Sequence, residues 1–462
     1  MGTAVIDHQP QFSGRTRNSH DSNGPADNGQ KLETDTEAAM SAPPSGSDQD
    51  HGPGLRERRL SQLVVLERIP TFLQPSLPWR DRLMHFTFAW YTVTMSTSGI
   101  ALILAITPKR FRGLSIIGLI VFLFDLLFFL AISLAILARF ILYRQTLRRA
   151  FTRPAEALFI PTLSLSVAAI LSNVSAYGDI FLPESSAAGL AGFLHVAFWA
   201  YLGVTFLISV MQYHLLFSVK AERRLTVSAM TPAWILPIFP VMLAGTLAAP
   251  CAQGQPAGRA IAVLCAGLAA QGLGILVSIF FYATYLSRLM AYGLPAQRPG
   301  MFIAVGPPSF TCAALVAIAD QMPRVFASLE AAEGGLSFLG FSGIGAGEAD
   351  MLAAGIKLTA LAAAIFLWGL SFWFFTSAVA AVVAGMPDRR FHLSWWSFVF
   401  PNVGFVLASI RIGTAVGSEG ILWLCSVMTV LLVVAWAFIG FRCVRAVYRR
   451  EIVWPGHDED SS

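Results

Sequence analysis

The side chains that could do chemistry in this chain lie almost entirely inside apolar stretches. Thr94, Ser96, Thr97 and Ser98 cluster within His85–Ile100, HFTFAWYTVTMSTSGI, and Ser164, Ser309 and Thr311 sit in similar surroundings. Phe391–Phe405 reads FHLSWWSFVFPNVGF. It places a tryptophan pair at an expected membrane boundary and then breaks an apolar run with Phe400, Pro401 and Asn402. Pro401 removes a backbone hydrogen bond, and the Asn402 amide needs a partner that hydrocarbon cannot supply. Such a segment faces protein or a water-accessible path. Small hydroxyls donate hydrogen bonds without the tight hold of a full charge, which suits a polar path. Each can also bond back to its own helix, but as a group on broken helices they fit a pathway.

Ionisable residues inside apolar runs are functional candidates by default. Arg411, beyond Asn402 on the same run, could engage a carboxylate bidentately or reach out to lipid headgroups. Asp125 lies deep in another run and calls for a partner or a proton. His85, His195, His214 and His392 could sense protons, or sit satisfied at interfaces. The five cysteines have no metal-ligand spacing and read as small buried hydrophobes. Neither HExxH nor a paired-aspartate site is present, nor is GxxxxGK[ST]. The expectation is therefore not an enzyme, with no cofactor, no metal, no direct ATP drive and no nucleic-acid partner.

The elements that must hold these residues follow from composition. The chain is 55% hydrophobic and 13% charged, with mean hydropathy +0.62. Soluble domains carry about 25% charged residues, and the apolar runs here are long enough to cross roughly 30 Å of hydrocarbon. This predicts an all-α polytopic membrane protein. Residues 1–55 are polar and rich in Gly, Ser, Asp, Asn and Pro, which predicts a disordered tail. A basic juxtamembrane segment (56–86), a membrane domain (87–446) and a second tail (447–462) follow. In the juxtamembrane segment, Arg58, Arg59, Leu60 and Ser61 form a basophilic kinase-like site, or simply a cluster that attracts anionic lipid.

Ten spans can be placed, at about 87–106, 113–138, 156–176, 189–218, 232–249, 260–287, 301–319, 352–384, 394–413 and 418–441. The even spans are long and smooth, the odd ones shorter and broken. Pro161 falls in the third, Pro232, Pro237 and Pro240 in the fifth, Pro307 and Pro308 in the seventh and Pro401 in the ninth. Broken backbone is tolerated at membrane depth only where protein or water covers it. The alternation therefore predicts five helical hairpins with the broken helices as an inner ring. Cations gather before the first span and after the even ones, so the positive-inside rule puts both termini in the cytoplasm, with Lys109, Arg110 and Arg112 dissenting. The sequon at Asn173 lies too close to the bilayer for glycosylation.

His85–Ile100 and Phe391–Phe405, with Thr231–Gly245 (TPAWILPIFPVMLAG) and Arg298–Thr311 (RPGMFIAVGPPSFT), closely resemble the tellurite-resistance/dicarboxylate transporter family. That family includes fungal malic acid transporters, yeast sulfite efflux pumps and plant guard-cell slow anion channels, and the malate subgroup is the best match. The resemblance covers about residues 80–450. It implies ten helices in five hairpins around a central pore with pseudo-fivefold arrangement, often a homotrimer with one pore per subunit. It also implies that Phe400, which matches the family's pore-plugging phenylalanine, acts as a gate. The implied cargo is malate and related C4-dicarboxylates (succinate, fumarate, malonate), crossing the plasma membrane with membrane lipids around the protein and protons as a candidate co-ion. Efflux of sulfite or another small inorganic anion on the same fold is the alternative.

Overall fold

The computed structural model describes residues 78–331 and 346–454. The expected tail 1–55, the juxtamembrane residues up to 77 with Ser61, and the chain from 455 onward lie outside the described residues. Among the described residues the elements are all helical. The principal helices are α1 (Tyr91–Ile106), α2 (Leu114–Leu142), α3 (Pro161–Phe181), α4 (Ala187–Phe217), α5 (Phe239–Ala252), α6 (Ala257–Tyr292), α7 (Gly306–Ala331), α8 (Ala346–Val383), α9 (Phe400–Val416) and α10 (Glu419–Tyr448). Nine helical segments among the described residues are long and apolar enough to cross a membrane; α5 alone is a shorter apolar helix.

Each odd-numbered helix packs against the even-numbered helix that follows it, giving five hairpins. The odd helices also touch in turn, α1 to α3, α3 to α5, α5 to α7 and α7 to α9, and α9 closes back on α1. Burial follows the same division. In the most apolar stretch of each segment, 94% of residues are buried for Arg298–Leu329 and 83% for Phe88–Ile106, against 17% for Glu419–Tyr448. The even helices instead present large apolar side chains outward, such as Phe366, Leu207 and Phe280. Without water to solvate apolar groups, this outward face is the one that lipid can cover.

The prolines that mark the odd spans in the sequence start their helices rather than kink them, while Pro250 and Pro323 lie inside α5 and α7. Pro161 is the first residue of α3, Pro240 the second of α5, Pro307 and Pro308 the second and third of α7, and Pro401 the second of α9. A first-turn proline lacks only an N–H that has no intrahelical partner there, so the position is tolerated. Short 3-10 turns precede four of the five: Phe88–Trp90, Pro232–Ile235, Arg298–Val305 and Leu393–Phe398. Pro237 lies between such a turn and α5, and Pro154–Ala157 is a short helical turn ahead of α3. The seventh span is not short, since its segment runs from Arg298 to Leu329. Trp395 and Trp396 are buried inside the break before α9.

Breaks of this kind strand backbone carbonyls, and the even helices supply donors to them. Tyr201 and Tyr213 of α4 donate to Pro240 O (2.9 Å) and Trp234 O (3.0 Å). Tyr282 of α6 donates to Ala304 O (2.8 Å), and Ser371 of α8 to Val305 O (3.0 Å). From α2, Arg139 forms a buried bidentate pair with Glu156 (2.5 and 3.2 Å) and also reaches Phe86 O (3.2 Å). Of the dissenting cations, Lys109 pairs with Glu419 at the start of α10, and Arg110 donates to Ala105 O (2.7 Å) and Ser115 Oγ (2.6 Å). Removing one donor leaves a buried carbonyl bare, at about 1–3 kcal/mol. Tyr282→Phe is therefore expected to lower the thermal unfolding temperature of the detergent-purified protein. An unchanged temperature would remove this role from the tyrosine.

Candidate functional site

Where the odd helices begin, three phenylalanines from three successive members of the ring meet. Phe400 of α9 lies 5.3 Å from Phe310 of α7, near-parallel at 29°, and 6.2 Å from Phe239 of α5. Phe239 and Phe310 close the triangle at 5.8 Å in an edge-to-face arrangement. All three are buried, Phe400 to 3% exposure. Two glycines make room for them. A Cβ on Gly306 would stand 2.7 Å from Phe239 Cζ, and one on Gly404 would stand 2.6 Å from Phe310 Cε2. Both rings thus rest against bare backbone of the next ring helix.

Arg411 lies about three turns beyond Phe400 on α9. It is half-buried, and among the described residues it forms no hydrogen bond or ion pair. Asp320 of α7 acts on it electrostatically, but that carboxylate is itself bound to Lys357 of α8 at 3.6 Å. Arg324, one turn beyond Asp320, donates to Ala252 O at the end of α5 (2.8 Å). The far parts of α7, α8 and α9 therefore carry Arg324, Lys357 and Arg411 together with the acids Asp320 and Asp350, and the Arg411 guanidinium is uncommitted among the described residues. That arrangement can receive a carboxylate.

The hydroxyls are mostly engaged between helices. Thr94 shares a hydrogen bond with Ser166 of α3 (2.7 Å), and Ser96 donates to Trp396 O (3.4 Å). Thr97 donates to Val93 O (2.8 Å) and accepts from Trp436 of α10 (3.1 Å). Ser98 accepts from Asn173 Nδ2 (2.9 Å), and the buried Asp125 packs beside it. Ser309 pairs with Ser371, and Thr311 accepts from Gln271 (2.8 Å). Ser164 alone of the seven makes no hydrogen bond among the described residues. Asn402 donates to Phe398 O (2.8 Å), its Oδ1 has no partner among the described residues, and it lines a cavity of about 630 Å³ between α8 and α10. The structure thus brings Phe400 and Arg411 onto one helix, but spreads the hydroxyls around the ring's seams. Asn173, the sequon asparagine, is fully buried.

Residues 85–444 match the SLAC1 voltage-dependent anion channel family. The chain belongs to that family. Within it, the chain is 32% identical over 396 residues to the malic acid transport protein of Schizosaccharomyces pombe, covering 84% of each. It is 33% identical to a putative malic acid transport protein of the same organism, covering 84% of this chain and 85% of that one. Identity to the sulfite efflux pump of Trichophyton rubrum is 23%, over 71% of this chain and 82% of the pump.

For this anion-channel-family chain, the sequence reading missed Phe239 and Phe310. A signal was present, since Phe239–Pro240 repeats the Phe400–Pro401 pairing and Phe310 follows Pro307–Pro308. It also missed Ser166 and the Arg139–Glu156 pair. The hydroxyls divide cleanly in their expected behaviour. Thr311→Ala removes an acceptor from the buried Gln271 amide and should destabilise the protein by about 1–3 kcal/mol. Ser164→Ala breaks no hydrogen bond and should stay within about 0.5 kcal/mol. Thermal unfolding of both variants checks this, and equal losses would erase the distinction.

Proposed function

We propose that this protein carries malate and related C4-dicarboxylates across the plasma membrane, through a path inside its ring of five odd helices. Both termini are cytoplasmic, and each subunit of a homotrimer has its own path. The observation that carries the substrate assignment is the 32–33% identity to two malic acid transport proteins across most of the chain, against 23% to a sulfite efflux pump.

Malate near neutral pH is a dianion, and moving it into hydrocarbon without compensation is prohibitive. A path must replace its hydration with protein donors that release it again. Arg411 supplies the first contact, where a guanidinium can fork onto one carboxylate. Ser164, with its hydroxyl uncommitted, offers a neutral donor farther along the ring. The staples Thr94, Ser96, Thr97, Ser98, Ser309 and Thr311 contribute only as their interhelical bonds loosen, and Asn402 acts from behind the ring. Phe400 is the gate: stacked on Phe310 and set against Phe239, it fills the neck and excludes hydrated ions. Rotation of the ring opens the neck. Flux follows gradients of the anion, of protons, or of both.

Uptake of radiolabelled malate by a transporter-deficient cell expressing this chain tests the assignment, with succinate, fumarate, malonate and sulfite as competitors across a pH series. Malate uptake inhibited by the C4 acids is expected. Surface-expressed protein that relieves sulfite sensitivity but moves no malate would give the function to the sulfite alternative. Arg411→Gln should raise the half-saturation concentration about tenfold or more, the worth of one charge-assisted hydrogen bond, with a smaller change in maximal rate. An unchanged half-saturation would place Arg411 among lipid headgroups instead.

A further inference from the structure

A second cavity, of about 980 Å³, lies outside the ring between α1, α2 and α10. Its walls are apolar and open outward, for Phe124 of α2 and Phe441 and Val444 of α10 line it and are exposed. One end is different. Arg82 and Arg450 both line it there, and their guanidinium carbons lie 5.8 and 5.0 Å from the ring of the buried Trp454. Arg82 Nη2 donates to Val447 O (3.4 Å), while its buried Nε has no acceptor among the described residues. Arg445 and Arg449 stand exposed on the same end of α10. Deeper in the furrow, Trp436 Nε1 donates to Thr97 Oγ1 of α1 (3.1 Å).

We propose that this furrow binds one anionic phospholipid, with its phosphate at Arg82 and Arg450 and its acyl chains laid along α2 and α10. The shape of the charge decides the ligand class. Two cations at one end of a long apolar trough match a molecule with an anionic head and a hydrocarbon body. A dicarboxylate would leave the trough wet, and free phosphate would engage the arginines and nothing else. The trough opens on the faces of α2 and α10 that carry exposed apolar side chains, which is where acyl chains are. Juxtamembrane arginines add attraction to anionic leaflets, and here the cations are held in place by one indole rather than scattered on a mobile tail. The lipid would touch the Trp436–Thr97 bond and Trp396, so it presses on α1 and on the turn leading to Phe400. The leaflet it comes from rests on the orientation proposed above; the binding itself does not.

The full chain is reconstituted in nanodiscs of phosphatidylcholine alone or with phosphatidylserine, and lipid retention is read by native mass spectrometry alongside the thermal unfolding temperature. Phosphatidylserine should be retained and should raise that temperature. R82Q/R450Q should weaken its retention roughly 30-fold, whereas R445Q/R449Q should do much less. Val444→Trp narrows the trough without touching the arginines and should also cut retention, which covers the case in which the arginine variant fails to fold. Inorganic phosphate and glycerophosphate should reproduce neither effect. Equal retention by wild type, R82Q/R450Q and Val444→Trp would overturn the proposal, as would stabilisation by inorganic phosphate. A change in oligomeric mass in either variant would make the furrow a subunit face and overturn it too. Malate flux is not among the readouts, so a failure of the substrate reading leaves this test standing.

Discussion

A backbone carbonyl left bare in hydrocarbon is the cost this fold is arranged to avoid. Each odd-numbered segment is interrupted, and interruption strands polar groups that a continuous helix would have paired. Tyr201, Tyr213, Tyr282, Ser371 and Arg139 answer this from the surrounding even helices, each donating to a carbonyl at or beside a break. The concentric arrangement follows. Broken helices can stand only where other helices shield them and reach in with donors, so they gather at the centre. The even helices, whose own ladders are intact, can face lipid.

The same breaks create the features that a path needs. A proline at the second position of a helix puts the preceding residue at its start, and Phe239 and Phe400 occupy that place on α5 and α9. Glycines at 306 and 404 let Phe239 and Phe310 lie directly on neighbouring backbone. The proposed neck would thus be lined by rings rather than by fixed ligands, while Arg411 stands about three turns away on α9. A passage built this way attracts an anion at its end without trapping it in the middle. The malate assignment proposed here needs that separation, because a dianion held by several full charges would bind and stay.

Much of this was legible from residues alone. Apolar runs of sufficient length located the spans, and prolines confined to alternate spans marked the inner helices. What the prolines do locally was not legible: Pro161, Pro240, Pro307 and Pro401 begin helices, a distinction that depends on the short helical turns before them, 3-10 in all but the case of Pro161. The hydroxyls were visible as a group, but Thr94, Ser98 and Thr311 have partners on other helices that no local spacing reveals. Phe239 and Phe310 were two phenylalanines among 35 until the ring brought them to Phe400. Arg139 and Glu156 pair across 17 positions, and neither looks unusual beside the loop charges around it.

In the proposed mechanism malate crosses inside the ring and Phe400 closes it. The most direct test is malate flux in proteoliposomes, comparing the wild-type protein with Phe400→Ala at equal reconstitution and with confirmed folding. Emptying the neck of its ring should raise malate flux severalfold while C4 acids still compete for passage. A variant that folds and conducts no more malate than wild type would contradict the claim, and the route would have to lie elsewhere.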